Sequence, residues 1–261
     1  MTNRIIALDR SVVVACDVDL PTFERLVGET ADIKGIGGYK IGPALTGRPG
    51  YDAVVAIAKK YTNKPLIYDG QKWGTDIPDT AEPILRPLRE SGIETVILFP
   101  QAGPITEYEW IHTARRLGLG VIVGGEMTHP GYLEGEEISA KKDYQTIFLE
   151  ELSLALTTGF IRRLAPDAMY QIAHRMGVKN FVVPGNKPAS IRRIRGVIED
   201  CGDENLNVSY FSPGFVDQGG VISEGARAAG KRFHAIVGRG ITGADDMKAA
   251  ALEHTRQLNA A

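Results

Sequence analysis

The sequence predicts a single (β/α)8 barrel, and three observations carry that prediction. Short apolar runs rich in β-branched residues recur eight times along the chain, and segments with helical apolar spacing lie between most of them. The length, 261 residues, suits one closed barrel. Continuous apolar strands alternating with amphipathic helices imply parallel strands covered by helices. Eight such units favour closure over an open doubly wound sheet.

Taken in order, the predicted strands span 12–15, 39–41, 65–68, 95–99, 121–123, 180–183, 208–211 and 235–237. Helical spacing is read over 22–29, 51–61, 80–91, 107–117, 188–199, 220–229 and 244–258. No shift in composition marks a boundary, so residues 1–261 are expected to form one domain. The interval 132–176, between the fifth and sixth strands, is longer than a barrel connection needs. It opens polar with Glu134, Glu136, Glu137, Lys141, Lys142 and Asp143, then turns helical near 147–156 and 167–175. An enlarged loop that covers the active site or contacts a partner subunit is the expectation there.

The charge balance, 30 Lys and Arg against 32 Asp and Glu, is even and dispersed, which argues against a nucleic-acid binder. Small anionic substrates remain possible. Cys16 and Cys201 are the two cysteines and no C-x-x-C occurs, so neither a zinc site nor a disulfide framework is indicated. The N-terminus lacks the shape of a signal peptide, and no apolar run approaches the roughly 20 residues of a membrane helix. A soluble cytoplasmic protein without a membrane partner is expected.

In a barrel, the C-terminal strand ends converge on one mouth. The first strand ends in Cys16-Asp17, the second carries Lys40, and the third runs into Asp69-Gly70-Gln71-Lys72 and then Asp76. The fifth is followed by Glu126-Met127-Thr128-His129-Pro130-Gly131 and the sixth by Pro184-Gly185-Asn186. The seventh and eighth end in Ser212-Pro213-Gly214, with Gln218-Gly219-Gly220 behind it, and in Gly238-Arg239-Gly240. Glycines there let backbone N–H groups approach an anion, a helix starting near Gly219–Gly220 would point its N-terminus at it, and Arg239 and Gln218 add donors. Asp17, Lys40, Asp69, Lys72 and Asp76 form a second cluster. Converging carboxylates and ammoniums perturb one another, as at functional sites. A surface salt-bridge rim would account for some of them, though not for a lysine inside so apolar a run. His129 is read as structuring its loop, and His112, His174, His234 and His254 as structural or surface residues without metal-ligand spacing.

At these residues the chain resembles the orotidine 5′-phosphate decarboxylases. That family's D-x-K-x-x-D-I signature after the third strand is similar to the stretch Asp69 to Ile77, and its M-S-H-P-G resembles Met127-Thr128-His129-Pro130-Gly131. Its S-P-G, Q-G-G and V-G-R endings match Ser212-Pro213-Gly214, Gln218-Gly219-Gly220 and Val237-Gly238-Arg239. The resemblance implies that Lys40, Asp69, Lys72 and Asp76 are catalytic, with Lys72 as proton donor. It also implies substrate binding by Asp17, Ile77, Thr80, Thr128, Pro184, Gln218, Gly238 and Arg239. Asp17 would hold the ribose, Thr128 the pyrimidine edge, and Gln218, Gly238 and Arg239 the phosphate. Asp76, Ile77 and Thr80 would reach the neighbouring site of a homodimer. The substrate implied is orotidine 5′-phosphate, with no cofactor and no metal.

One departure stands out. The family's aspartate and lysine lie two residues apart, whereas Asp69 and Lys72 lie three apart, so a strict strand would present Gln71 instead. A bulge or an early strand end would restore convergence. Related sugar-phosphate decarboxylases and aldolases carry a magnesium-binding glutamate at the position of Lys40, which argues against them. A non-catalytic nucleotide-binding homologue stays open on the altered spacing.

Overall fold

The computed structural model describes residues 4–70, 73–136, 146, 148–150, 153, 158–202, 207–215 and 219–259. Eight parallel strands close into a barrel in chain order. They are β1 (Arg10–Ala15), β2 (Ile36–Ile41), β3 (Leu66–Tyr68), β4 (Thr95–Leu98), β5 (Gly120–Gly124), β6 (Asn180–Val182), β7 (Ser209–Ser212) and β8 (Phe233–Val237). Closure rests on pairing of β1 with both β2 and β8, the latter in unbroken register from Arg10 opposite Phe233 to Val14 opposite Val237. Each predicted strand is present within a few residues of its predicted ends.

Side chains alternate between the lumen and the helices, because a strand's period is two. Val13, Ala15, Ile67, Ile97, Phe99, Ile122, Val182, Phe211 and Ile236 form the inner cluster. Their neighbours Val12, Val14, Tyr68, Val96, Leu98, Val121, Val123 and Phe181 pack outward against the helices. Both faces are therefore apolar, which is why these strands read as continuous hydrophobic runs rather than as alternating ones.

The covering helices include Leu20–Thr30, Gly50–Tyr61, Ala81–Glu90, Pro104–Arg116, Ala165–Arg175, Pro188–Glu199, Ile222–Ala229 and Met247–Asn259. Asp19 caps the first of these by accepting from the Thr22 N–H at 2.9 Å, and prolines occupy the first turn of several, where a missing N–H is harmless. Short helices at Pro43–Thr46 and Arg239–Thr242 were not predicted, since four residues leave no periodic signal. The helix expected near Gly220 begins at Ile222, because Gly220 is held in a bridge with Phe215 and its N–H donates to Gly214 O. Much of the interval 132–176, including most of the helical stretch expected near 147–156, lies outside the described residues. No helix among the described residues is long and apolar enough to cross a membrane.

The lower end of the lumen is plugged by polar groups. His234 Nδ1 lies 2.9 Å from Ser11 Oγ in the barrel interior, beneath Phe211. Burial, and then the Arg4 charge, depress the His234 pKa from 6.5 to about 3. A depressed histidine pKa stabilises the fold fully above the unfolded value and loses that contribution as pH falls toward the folded one. Below pH 6.5 the native state must therefore resist protonating His234. Replacing it, as in His234→Gln, should lessen acid destabilisation by on the order of 3 kcal/mol at pH 4 relative to pH 7. Denaturant melts of both proteins across that range check this, and parallel stability curves would refute it.

Candidate active site

The inward phase of the strands, carried one step past their ends, builds the upper mouth of the barrel. A cavity of about 380 Å³ opens there, a size suited to a nucleotide-scale ligand. Its floor is apolar, from Ala15, Phe99, Val182 and Ile236. Polar groups enter from the rim: Asp17 and Lys40 on one side, Asp69 and Glu126 around it, and Gly238 with Arg239 above β8.

Lys40 lies on the inward phase of β2, between the outward-facing Tyr39 and Ile41, and only 7 % of its side chain is exposed. Its ammonium pairs with the Asp69 carboxylate and stands 3.6 Å from Asp17 Oδ2. Burial alone would lower its pKa, but Asp69, followed by Asp17, outweighs that and holds it above the ordinary lysine value. Lys40 therefore stays charged through neutral and alkaline pH. Asp17, with 58 % of its side chain exposed, reaches the same ammonium from the solvent side of the rim.

Asp69 follows the end of β3. The strand stops at Tyr68, the Asp69 N–H donates to Ile41 O at 2.6 Å, and Asp69 continues the inward phase of Ile67. The chain then departs from strand geometry: Gly70 N–H donates back to Tyr68 O, and Trp73 N–H donates to Gly70 O at 2.7 Å. Trp73 folds back to stack on Tyr68 at 4.7 Å. A Cβ at position 70 would lie 2.6 Å from Ile97 O and 2.8 Å from the Trp73 ring, so only glycine fits this turn. The early strand end considered for the three-residue spacing is thus present. Lys72 and Gln71 lie outside the described residues.

Asp76 and Ile77 lie on an exposed loop and Thr80 in the 3₁₀ turn Pro78–Thr80 that follows it, apart from the described lining of this cavity. The Asp76 carboxylate accepts from the Ile77 N–H at 2.7 Å, Thr80 Oγ1 donates to Ile77 O at 2.8 Å, and Thr106 Oγ1 donates to Asp76 O at 3.1 Å. Ile77 is 60 % exposed. No described contact within one chain joins these residues to Lys40 or Asp69.

Thr128 lines the cavity, with its carbonyl accepting from Asn186 Nδ2 at 3.0 Å. Gly238 and Arg239 also line it, and the short helix Arg239–Thr242 starts there. Gln218 lies outside the described residues. Pro184 is buried two residues past β6, with its carbonyl accepting from the Lys187 N–H, and is not part of the described lining. The turn after β7 brings Pro213 to the cavity instead, with its carbonyl accepting from Gly185 N–H at 2.8 Å. Glu126, named in the sequence only as part of the stretch after the fifth strand, was assigned no role there and lines the cavity. It shares the phase of the inward-facing Ile122, four residues earlier, and that signal was available. Among the described residues, no cluster of three or more His, Cys, Asp or Glu side chains is arranged to hold a metal ion.

The charge balance at Lys40 yields a direct test. Asp69→Asn removes the larger of the two attractions, leaving burial dominant, so the Lys40 pKa should fall. NMR titration of the lysine side chains would show it, and an unchanged titration would refute the assignment.

Comparison with known proteins agrees with this architecture. The family model described as "Orotidine 5'-phosphate decarboxylase / HUMPS family" matches residues 10–254. A curated orotidine 5′-phosphate decarboxylase of Methanosarcina mazei is 28 % identical over 221 residues, covering 85 % of this chain and 83 % of that protein. Its counterpart in Methanococcoides burtonii is 26 % identical and covers 95 % of this chain and 97 % of that one. Among solved structures, orotidine 5′-monophosphate decarboxylase of Methanocaldococcus jannaschii, complexed with the inhibitor BMP, superposes with a TM-score of 0.71 at 22 % identity, over 96 % of this chain and 99 % of that one. The Pyrococcus horikoshii enzyme gives 0.66 at 22 % identity, over 95 % and 99 %. With the closed barrel and this strand-end constellation in place, the match over residues 10–254 shows that the chain belongs to the orotidine 5′-phosphate decarboxylase / HUMPS family.

Proposed function

We propose that this chain decarboxylates orotidine 5′-phosphate to uridine 5′-phosphate. The observation that carries the reading is Lys40, a buried ammonium held between Asp17 and Asp69 in a cavity whose rim also offers Gly238 and Arg239. In the sugar-phosphate branch of the family, a magnesium-binding glutamate occupies the position of Lys40. An ammonium already paired with two carboxylates repels a divalent cation at that point. This supports the pyrimidine branch.

In the proposed reaction, the bond between C6 and the substrate carboxylate breaks and the electron pair stays on C6. The Lys72 ammonium stabilises the developing charge and then delivers its proton to C6; the resulting amine regains a proton from solvent. Asp69 beside the departing carboxylate disfavours the ground state, and that repulsion ends as carbon dioxide leaves. Lys40 keeps Asp69 and Asp17 in place, and Asp17 faces the ribose. Arg239 and Gln218, with the Gly238 N–H, hold the phosphate, and this distant binding energy serves to order the site. Thr128 meets the pyrimidine edge. No electron-sink cofactor is required, and we place the protein in the cytoplasm.

Asp76, Ile77 and Thr80 act in the neighbouring site of a homodimer. Their outward position supports this, as do the exposed Ile77, Ile105 and Tyr108 around the same loop. Loss of orotidine 5′-phosphate absorbance in the presence of EDTA tests the reaction. Rapid metal-independent loss is expected, reduced on the order of 1,000-fold in Lys72→Ala. Absence of turnover by the wild-type chain would refute the proposal.

Shared sites make a second prediction. Lys40→Ala and Asp76→Asn chains, each inactive alone, should regain about a quarter of wild-type activity when unfolded and refolded together, because each hybrid C2 dimer restores one site. No recovery in verified hybrids would assign Asp76 to its own chain's site and refute the shared-site reading.

A further inference from the structure

Glu126 is more deeply buried than any function assigned so far requires. Its side chain is 1 % exposed, it lines the cavity, and every polar atom for which a contact is described is engaged. Oε1 accepts from Ser190 Oγ at 2.8 Å, with Lys187 Nζ 3.5 Å away; Oε2 accepts from Arg193 Nη2 at 2.6 Å. Its backbone N–H and that of Gly125 both donate to Tyr170 Oη, at 3.3 and 3.0 Å, and Tyr132 Oη donates to Gly125 O at 2.9 Å.

The partners are themselves tied down. Arg193 also pairs with Asp167, and Lys187 with Glu136 at 2.5 Å. Glu136 Oε2 in turn accepts the N–H groups of Tyr132 and Leu133, both at 3.0 Å. A chain of ion pairs therefore runs from the end of β5 through the helix Pro188–Glu199 to the helix Ala165–Arg175. The interval between β5 and β6 contributes Tyr132, Glu136, Asp167 and Tyr170 to it.

A wall that only needed filling would be apolar, since a buried ion pair rarely stabilises more than a well-packed hydrophobic residue. What such a network supplies is fixed geometry. Glu126 lies one and two residues before Met127 and Thr128, which line the same cavity, and Asn186 clamps the Thr128 carbonyl from the other side. The wall is held at both ends. The opposite rim at Gly214, Gly238 and Arg239 shares none of the described partners of Glu126.

We infer that Glu126 is a positioning residue that fixes the base-receiving wall of the cavity and leaves the phosphate-binding rim unaffected. The inference rests on the nucleotide reading above. Titration calorimetry with two probes, uridine 5′-phosphate and ribose 5-phosphate, tests it on the full-length protein. Glu126→Gln keeps the shape but leaves Arg193 and Lys187 short of a counter-charge. Uridine 5′-phosphate should bind about tenfold more weakly, or about 1.4 kcal/mol, while ribose 5-phosphate binds as before. The decarboxylation kcat should fall on the order of 100-fold, as expected for a misplaced substrate. Should the glutamine variant not fold, Ser190→Ala removes one contact and keeps every charge, and a smaller selective loss is expected. Equal weakening of both probes, or of neither, in the variant that folds overturns the inference. A wild-type protein that binds ribose 5-phosphate but not uridine 5′-phosphate overturns the nucleotide reading, and this inference with it.

Discussion

An ammonium buried inside a β-barrel is unfavourable unless carboxylates meet it, and the upper half of this molecule is organised around that requirement at Lys40. Transfer of an unpaired ammonium from water into the lumen would cost several kcal/mol. Asp69 and Asp17 arrive from the two adjacent strands, β3 and β1, so the compensation depends on β2 lying between them in the closed barrel. The charge cluster and the strand order are therefore one constraint. Truncating either carboxylate would leave a buried charge partly unmet, and truncating Lys40 would set two carboxylates against each other across the mouth.

The same strand phase that packs the lumen also delivers the chemistry. Ile67 and Asp69 share a face, as do Ile122 and Glu126, and Ala15 and Asp17. Ala15, Ile67 and Ile122 pack in the inner apolar cluster, above the paired Ser11 and His234 at the lower end. One step past the last ladder hydrogen bond, the same direction points into the cavity, and the side chains become ionisable. The Gly70 turn lets the chain leave β3 without disturbing this pattern. Trp73 returns to stack on Tyr68 on the outer face, while Asp69 stays on the inner one.

The fold was legible because all eight strands are buried on both faces and so stand out as apolar runs. The placement of Asp17, Lys40, Asp69, Thr128, Gly238 and Arg239 at one mouth was legible for a related reason: each sits at or just past the end of such a run. Where reading failed, the cause lay in contacts remote in sequence. Pro213, like Pro184, follows a strand and precedes a glycine, and nothing local to it signals that it lines the cavity. The start of the helix at Ile222 is set by the bridge between Phe215 and Gly220, which no local propensity signals. Glu126 carried the correct phase, but its importance depends on Ser190 and Arg193, more than sixty residues away in the chain.

The two ends of the cavity are thus built by different physics. The side bearing Thr128 is enclosed by ion pairs and tyrosine hydroxyls that leave the Gly125–Glu126 peptide a single arrangement. The side bearing Gly214 and Gly238 relies on backbone turns, with Gly214 and Gly219 at φ +104 and +79°, a conformation few other residues tolerate. Glycine-rich backbone offers N–H groups to an anion without side-chain bulk, and here the Gly220 N–H steadies the turn by donating to Gly214 O. In the proposed reading, a planar base entering the other side meets a wall already in place. Under the proposed reaction, charge interactions that act over a few ångströms at the reacting carbon need that fixed wall, because a displacement of about 1 Å at the base would misalign it with Lys40 and Asp69 and forfeit about a hundredfold in rate.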